Sequence, residues 1–261
     1  MWNDTWVRLG VTVALLGVFA ALEARWPRRP RTFNRSQRWP SNLGIVALDQ
    51  LVVRLFAPVL PVAWATLVHG GGLLGLVDLP AAVEAALGVI ALDLAIWFQH
   101  VSFHRVPALW RLHRMHHADP DFDVTTALRF HPVEILLSVF IKLGVISLLG
   151  VSPGAVLAFE LILNGMAMFN HANLALPLPV DAVLRAVVVT PDVHRVHHSV
   201  LPAEANSNFG FNLVIWDRMF GTWRASPLAG HVAMEIGDRQ VTEDDELRLD
   251  RMLTQPARIG T

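Results

Sequence analysis

The sequence predicts an all-α protein: a multispan integral membrane helical bundle of about four to five membrane-embedded helices, with a histidine-rich helical cap on its cytoplasmic face. Three observations predict this fold class. Hydrophobic residues make up 53% of the chain and charged residues only 16%, whereas a typical soluble domain carries roughly 25% charged residues. Several apolar runs are long enough to cross a bilayer. The 12 histidines are concentrated in clusters that follow those runs.

The composition also excludes several classes of protein. The net charge of -1 gives no bulk basicity, so we expect no nucleic-acid partner. Because the chain has no cysteine, it contains no disulfide, thiolate nucleophile, iron–sulfur cluster or sulfur-ligated zinc. The apolar composition excludes intrinsic disorder and argues against an ordinary soluble enzyme.

The first predicted span runs from Trp6 to Leu22. A signal peptide carries its positive charge before the apolar run, whereas here the charge follows it, so we expect an uncleaved first helix. By the positive-inside rule the following arginines lie in the cytoplasm and the N-terminus lies outside. These arginines are Arg25, Arg28, Arg29, Arg31, Arg35 and Arg38.

The remaining apolar runs extend the bundle. The run from Leu43 to Val68 returns the chain to the outer side. The run from Ala81 to Gln99 crosses back, so that His100 and His104 follow at the cytoplasmic end. Ile135–Leu149 and Ala155–Phe169 are short for full spans, so a tilted pair and a re-entrant hairpin both fit. Leu176 to Thr190 is apolar but broken by prolines and charges, which is typical of an interfacial amphipathic segment.

Eight of the 12 histidines form three clusters at helical spacing. Residues three and four apart share one face of a helix, so each cluster can direct its imidazoles toward one point. Imidazole is a ligand for zinc, copper, iron and nickel, and eight ligands indicate two metal ions rather than one. The clusters are His100 and His104, then His113, His116 and His117, then His194, His197 and His198.

Other histidine chemistries fit less well. A metalloprotease needs His-Glu-x-x-His, but Val101 stands where the glutamate belongs. A bis-histidine haem protein does not need eight ligands, and a transporter places its ligands near the bilayer midplane. Oxygen activation on a lipid fits best. The alternative is a membrane protein that holds zinc for structure or transport without oxygenase activity. We expect His69 and His231 to be solvated or hydrogen-bonded.

At these residues the chain resembles the fatty acid hydroxylase superfamily, also called the sterol desaturase family. Its members are integral-membrane, non-haem di-iron enzymes with boxes of the same spacing. The resemblance covers residues 91–223 and indicates the bacterial branch. Beyond the boxes it includes Trp110–His117 leading into Asp119–Glu134, then Asn170–Asn173, Asn208–Asn212 and Trp216–Thr222.

The resemblance implies a set of metal ligands. His171 is the family's histidine between the second and third boxes, while Ala167 stands where some members have another histidine, so one coordination position is left open or filled by water. His131 is either a ligand or a packing residue. Asp119, Asp121, Asp123 and Glu134 either orient ligand N–H groups or cap helices and loops. The implied ligands are His100, His104, His113, His116, His117, His171, His194, His197 and His198.

The resemblance also implies the reaction. Two iron ions and O2 hydroxylate or desaturate a lipid, such as a fatty acyl chain or a sterol, in a bacterial inner membrane with the active site facing the cytoplasm. Electrons come from a separate donor of ferredoxin or cytochrome b5 type. The arginines near the site dock that donor, bind lipid phosphate or only mark the cytoplasmic face. They are Arg105, Arg111, Arg114 and Arg195. Near the ligands, four apolar residues either pack the core or line a lipid tunnel: Trp97, Phe98, Phe103 and Met115.

We expect three regions along the chain. Residues 1–80 form N-terminal membrane helices and a loop, and residues 81–225 form a catalytic domain like that of the fatty acid hydroxylases. Residues 226–261 form a polar tail, which contains the acidic run Glu243–Glu246 and is expected to be a small soluble appendage.

Overall fold

A computed structural model describes residues 2–57, 59–241 and 247–259. These residues form helices joined by short loops, and the extended pairing among them is limited to three isolated bridges. We number the α-helices in chain order. They are α1 (Trp2–Arg25), α2 (Arg35–Phe56), α3 (Pro61–Val68), α4 (Ala81–Arg105), α5 (Pro107–His117), α6 (Pro132–Leu149), α7 (Pro153–Asn170), α8 (Leu178–Leu184), α9 (Pro191–His197), α10 (Pro202–Ala205), α11 (Ile215–Met219), α12 (Gly230–Ala233) and α13 (Leu249–Arg258).

Five stretches of the described chain are long and apolar enough to cross a membrane, which confirms the predicted multispan helical bundle. They are α1, α2 together with α3, α4, α6 and α7. Helices α6 and α7 have 18 residues each, a length of about 27 Å at 1.5 Å per residue. By length and composition, both are long and apolar enough to serve as full spans.

Large apolar side chains cover the outside of these helices. Val13 and Val18 on α1 are more than half exposed, and Leu55, Leu87 and Ile162 are exposed on other spans. The inner faces pack into a core around Phe159, Met168 and Leu92. An apolar outer surface over a packed core is the arrangement that a lipid environment requires.

The chain places its functional residues at one end of the bundle, which we call the histidine end. His100 and His104 lie in the last turns of α4, and His171 caps the C-terminus of α7. Helix α1 also ends here, because the backbone N–H of Arg28 donates to the carbonyl of Asn173 at 3.1 Å. The predicted gathering of the histidine clusters at one end of the spans is therefore confirmed.

At the opposite end, which we call the far end, the loops after α3 and after α6 touch. The carbonyl of Gly150 lies 3.2 Å from His69 Nδ1 and 3.4 Å from the backbone N of Gly70. A Cβ on Gly72 would come within 2.2 Å of the Gly150 backbone, so only glycine fits there. His69 thus lies at the other end of the bundle from the histidine clusters.

The C-terminal residues pack over the histidine end, which differs from the expected appendage. Met252 on α13 contacts Met115 and Ile45 in a small buried cluster. Met234 and Ile236 pack against Phe122. These buried apolar contacts bind the tail to the cap. The acidic run Glu243–Glu246 lies outside the described residues.

Helix α8 is amphipathic, as its sequence indicates. Leu178 and Val183 are exposed, whereas Asp181 is buried and accepts a 2.6 Å hydrogen bond from the hydroxyl of Thr190. An exposed apolar face on a short helix beside the spans is typical of an interfacial segment. Its insertion into the membrane interface stays a prediction.

Candidate metal centre

A proline turn brings the first two histidine clusters together. Pro107 ends α4, since proline supplies no N–H and disfavours helix in the residue before it, and it then starts α5. The two helices fold against each other. As a result His100 Nε2 lies 3.1 Å from His113 Nε2, and His104 Nε2 lies 3.0 Å from His117 Nε2.

Helix α9 adds the third cluster to the other two. Pro191 starts this helix, and His198 caps its C-terminus. His197 Nε2 lies 3.0 Å from His100 Nε2, while His194 Nε2 lies 3.1 Å from His171 Nε2. The loops on either side of α9 therefore close the histidine end over the helix termini.

The nine predicted ligands form two groups, in each of which the ring nitrogens lie within 4.8 Å of one another. Every member is buried except His104, which is half-buried. All nine histidines predicted as metal ligands therefore lie in one of the two groups. The five-histidine group contains His100, His104, His113, His117 and His197, and the four-histidine group contains His116, His171, His194 and His198.

The hydrogen bonds fix which nitrogen of several rings faces inward. The Nδ1 atoms of His100, His197 and His171 each donate at 2.7 Å to a carbonyl, those of Phe209, Ser207 and Ala167 respectively. A carbonyl oxygen only accepts, so Nδ1 carries the proton and Nε2 presents a lone pair. The Nε2 lone pairs of His100 and His197 therefore face each other at 3.0 Å in a buried site, where they repel one another unless a cation lies between them. The residues present therefore fit bound metal.

Burial keeps the imidazoles in the neutral form that binds metal. It lowers the pKa of His113 and of His171 to about 3. For the other cap histidines, burial and then the repulsion of neighbouring rings lower the pKa well below its usual value near 6.5. These residues are His116, His117, His194, His197 and His198. All are neutral at pH 7, as a metal ligand must be.

The segment Asn208–Asn212 and the later Trp216–Thr222 support the centre through one carboxylate. Asp217 accepts from the backbone N–H groups of Phe209 and Gly210, both at 2.8 Å, and from Trp97 Nε1 at 3.0 Å. A Cβ on Gly210 would lie 2.7 Å from the Leu213 carbonyl, so the turn requires glycine. This turn positions the Phe209 carbonyl that fixes His100.

Of the four acidic residues expected to orient ligands, only Glu134 contacts a clustered histidine. Its Oε1 lies 2.7 Å from His113 Nδ1. Asp119 and Asp123 instead pair with the buried guanidinium of Arg38, and Asp121 accepts from backbone N–H groups of the α1–α2 connection. These carboxylates stabilise the structure around the histidine groups and do not contact the imidazoles, because arginines buried there need anionic partners.

His131 lies outside both groups. Its Nδ1 accepts from the backbone N–H of Val133 and caps α6, while its Nε2 donates to the carbonyl of Leu253, both at 3.2 Å. Its role is that of a cap and a packing residue. Ala167 contributes only its carbonyl to His171.

The four arginines near the site divide into two pairs. Arg114 and Arg195 are buried in ion pairs with Asp238 and Asp192. Arg105 and Arg111 are exposed around the turn between α4 and α5. Only the second pair is accessible to a partner.

Phenylalanine rings that the sequence analysis did not single out surround the imidazoles. Phe130 stacks on His116 with ring centroids 4.3 Å apart and planes 11° apart. Phe122 lies 4.8 Å from His198, while Phe209 and Phe211 lie 5.6 and 4.9 Å from His100. Phe209 and Phe211 alternate with the motif residues Asn208, Gly210 and Asn212, a signal that was available. Nothing in the sequence distinguishes Phe130 from a core residue.

A family model described as fatty acid hydroxylase matches residues 85–222, more than half of the chain. The chain belongs to this family. The matched residues contain all nine clustered histidines and the turn held by Asp217. The fatty acid hydroxylase resemblance expected from the motifs is thus confirmed.

Several members of the fatty acid hydroxylase family with assigned activities are similar to the chain. The ornithine lipid hydroxylase OlsE of Rhizobium tropici is 31% identical over 57% of this chain and 44% of its own length. The alkylglycerol monooxygenase of Homo sapiens is 33% identical over 54% and 30%. The cholesterol 25-hydroxylase of Rattus norvegicus is 24% identical over 53% and 46%. The chain thus spans less than half the length of these relatives. No solved structure matches it significantly.

Proposed function

We propose that the protein is a membrane di-iron oxygenase that hydroxylates a lipid, using O2 and electrons from a separate donor. The observation that carries the proposal is the convergence of nine buried imidazoles into groups of five and four, with the inward nitrogens of several rings fixed by hydrogen bonds. Two such groups at one end of an apolar bundle support the proposal of a pair of metals beside the membrane.

The groups of five and four histidines are the proposed ligands of the two irons. Bound iron would supply redox chemistry, coupling the reduction of O2 to the oxidation of a C–H bond. The chain holds the imidazoles neutral and oriented through Glu134 and the Phe209 carbonyl. The rings of Phe122, Phe130 and Phe211 exclude bulk water, which protects a reactive site from side reactions.

The relatives favour iron and hydroxylation over the alternatives. An all-imidazole site accepts zinc as well as iron, but zinc has no redox chemistry and cannot support a monooxygenase. The relatives are named as hydroxylases and monooxygenases of ornithine lipid, alkylglycerol and cholesterol. Hydroxylation is therefore the proposed outcome rather than desaturation. A donor of ferredoxin or cytochrome b5 type is the proposed source of electrons.

A bacterial inner membrane is the proposed location. The charge distribution supports an orientation with the histidine end in the cytoplasm and the N-terminus outside. The far-end connections, residues 69–80 and 150–152, contain no lysine or arginine. The histidine-end connection between α1 and α2 contains Arg28, Arg29 and Arg31. Short loops rich in arginine stay on the cytoplasmic side.

The test is transfer of labelled oxygen to a lipid. Protein purified without oxygen is loaded with Fe²⁺ in lipid nanodiscs and supplied with a ferredoxin, its reductase and ¹⁸O₂. Ornithine lipid, an alkylglycerol and a sterol serve as separate substrates. Mass spectrometry should show one ¹⁸O atom in one lipid class, and His197→Ala should abolish it. A zinc-loaded protein that iron cannot reconstitute, with no labelled lipid, would instead support the zinc-binding alternative.

A further inference from the structure

Arg38 precedes the residues matched by the family model, yet it contacts Asp119 and Asp123 beside the histidine groups. It lies on α2 and is fully buried. Its Nε and Nη2 donate to both carboxylate oxygens of Asp119, at 2.8 and 2.6 Å, and its Nη1 donates to Asp123 at 2.7 Å. A bidentate guanidinium that bridges two carboxylates fixes the geometry of both.

The two carboxylates belong to the segment between α5 and α6, residues 118–131, which begins directly after His117. Asp119 also accepts hydrogen bonds from Thr126, within the same segment, and from Asn42 on α2. This carboxylate therefore fixes the fold of the segment and its position against α2. The buried guanidinium of Arg38 and the buried carboxylate of Asp119 thus compensate each other's charge.

This segment carries two of the rings that contact the four-histidine group. Phe130 stacks on His116 at 4.3 Å, and Phe122 lies 4.8 Å from His198 and 5.4 Å from His171. Phe122 has a φ of 33°, a left-handed conformation that a bulky residue rarely adopts. A strained backbone conformation persists only where the surrounding contacts hold it. The contacts of Arg38 with Asp119 and Asp123, on either side of Phe122, hold the backbone here.

The two histidine groups differ in how their rings are oriented. In the five-histidine group, three Nδ1 atoms have partners: the Phe209 and Ser207 carbonyls and Glu134. In the four-histidine group only His171 has one, the Ala167 carbonyl. Among the described residues, the Nδ1 atoms of His116, His194 and His198 have no hydrogen-bond partner. We infer that ring packing orients these imidazoles: Phe130 lies against His116 and Phe122 against His198. His194 lies nearer to Phe211 than to Phe122.

We propose that Arg38 is a positioning residue for the metal bound by the four-histidine group, acting through the segment 118–131 and its two phenylalanine rings. The inference rests on the proposed metal centre but not on its oxygen chemistry. Loss of a supporting contact around metal ligands typically weakens metal binding about 10- to 100-fold. Arg38→Gln should therefore weaken the four-histidine site about 10- to 100-fold and leave the five-histidine site unchanged.

The test is a Co²⁺ titration of metal-free full-length protein in detergent, followed by visible absorption and by metal content after dialysis. The wild type should bind about two equivalents tightly. Arg38→Gln should keep one tight equivalent, and Arg38→Lys should restore part of the second, since lysine keeps the charge but not the bidentate geometry. Arg105→Gln, at an exposed arginine, is the matched control and should behave as the wild type.

Double variants identify the affected site. Adding Arg38→Gln to His194→Ala should cause no further loss of tightly bound Co²⁺. Adding it to His100→Ala should remove the one tightly bound equivalent that remains. If Arg38→Gln does not fold, Asp123→Asn, which removes the negative charge from one of the three Arg38 contacts, takes its place. Two tight equivalents in the variant, or equal weakening of both sites, would overturn the proposal. A wild type that binds two metals yet oxidises no lipid would contradict only the proposed function.

Discussion

His113 and Glu134 form a 2.7 Å hydrogen bond between Nδ1 and Oε1, and both residues are buried. The carboxylate comes from the first turn of α6, whereas the imidazole comes from α5, so the contact joins a spanning helix to the cap. Of the four acidic residues that the sequence nominates for this role, Glu134 is the one that performs it.

Glu134→Leu should weaken metal binding at the five-histidine group about 10- to 100-fold, because it removes the acceptor that fixes the tautomer of His113. Metal titration of the purified variant measures the effect. Glu235→Leu is the control, since Glu235 is exposed and pairs with Arg239. Equal metal affinity in the Glu134 variant and the wild type would show that the contact does not orient the ligand.

Gly210→Ala should destabilise the protein by about 1–3 kcal/mol, as expected for an overpacked site. The new Cβ would lie 2.7 Å from the Leu213 carbonyl and 3.0 Å from Asp217 Oδ2, in the turn that holds His100. Thermal unfolding in detergent measures the change. Gly10→Ala is the control, because a Cβ at Gly10 meets no atom within 4 Å. A similar midpoint for both variants would contradict the role assigned to this turn.

Removal of metal should lower the thermal midpoint of the wild type, and restoring Fe²⁺ should raise it again. The reason is that His100 and His197, whose Nδ1 protons are donated to carbonyls, face each other through Nε2 lone pairs 3.0 Å apart, and these repel one another when no cation separates them. Calorimetry before and after chelation measures the shift. A midpoint that chelation does not change, in protein shown to have lost its metal, would contradict this reasoning.

The proposed sidedness can be tested by labelling single cysteines, since the chain has none of its own. Leu76→Cys at the far end should react with a membrane-impermeant maleimide added to intact cells. Leu228→Cys in the cap should react only after the membrane is opened. Both native side chains are more than three-quarters exposed, at 79% and 78%. The reverse pattern would place the histidine end outside.

Much of this architecture follows from local sequence signals. Apolar length predicts the spans, and helical spacing predicts that His113, His116 and His117 share a face. The sequence could not show that His113 and His117 join one group while His116 joins the other. That division depends on where α4, α7 and α9 end relative to α5, which only tertiary packing decides.

The arginine run after the first span also shows that long-range contacts could not be predicted from the sequence. Its charge predicts sidedness, but spacing does not reveal that Arg38 reaches Asp119, 81 positions away, with both side chains fully buried. Likewise, Phe130 resembles any core residue until its ring is seen stacked on His116. Contacts between distant segments determine which charged and aromatic residues support the centre.

The most direct test of the central claim is the iron content of protein purified without oxygen, measured beside His116→Ala and His197→Ala. The two variants each remove one member of a different group. We expect about two irons per chain in the wild type and about one in each variant, with His69→Ala unchanged from the wild type. Folded wild-type protein that binds no iron, even after reconstitution, would contradict the di-iron centre.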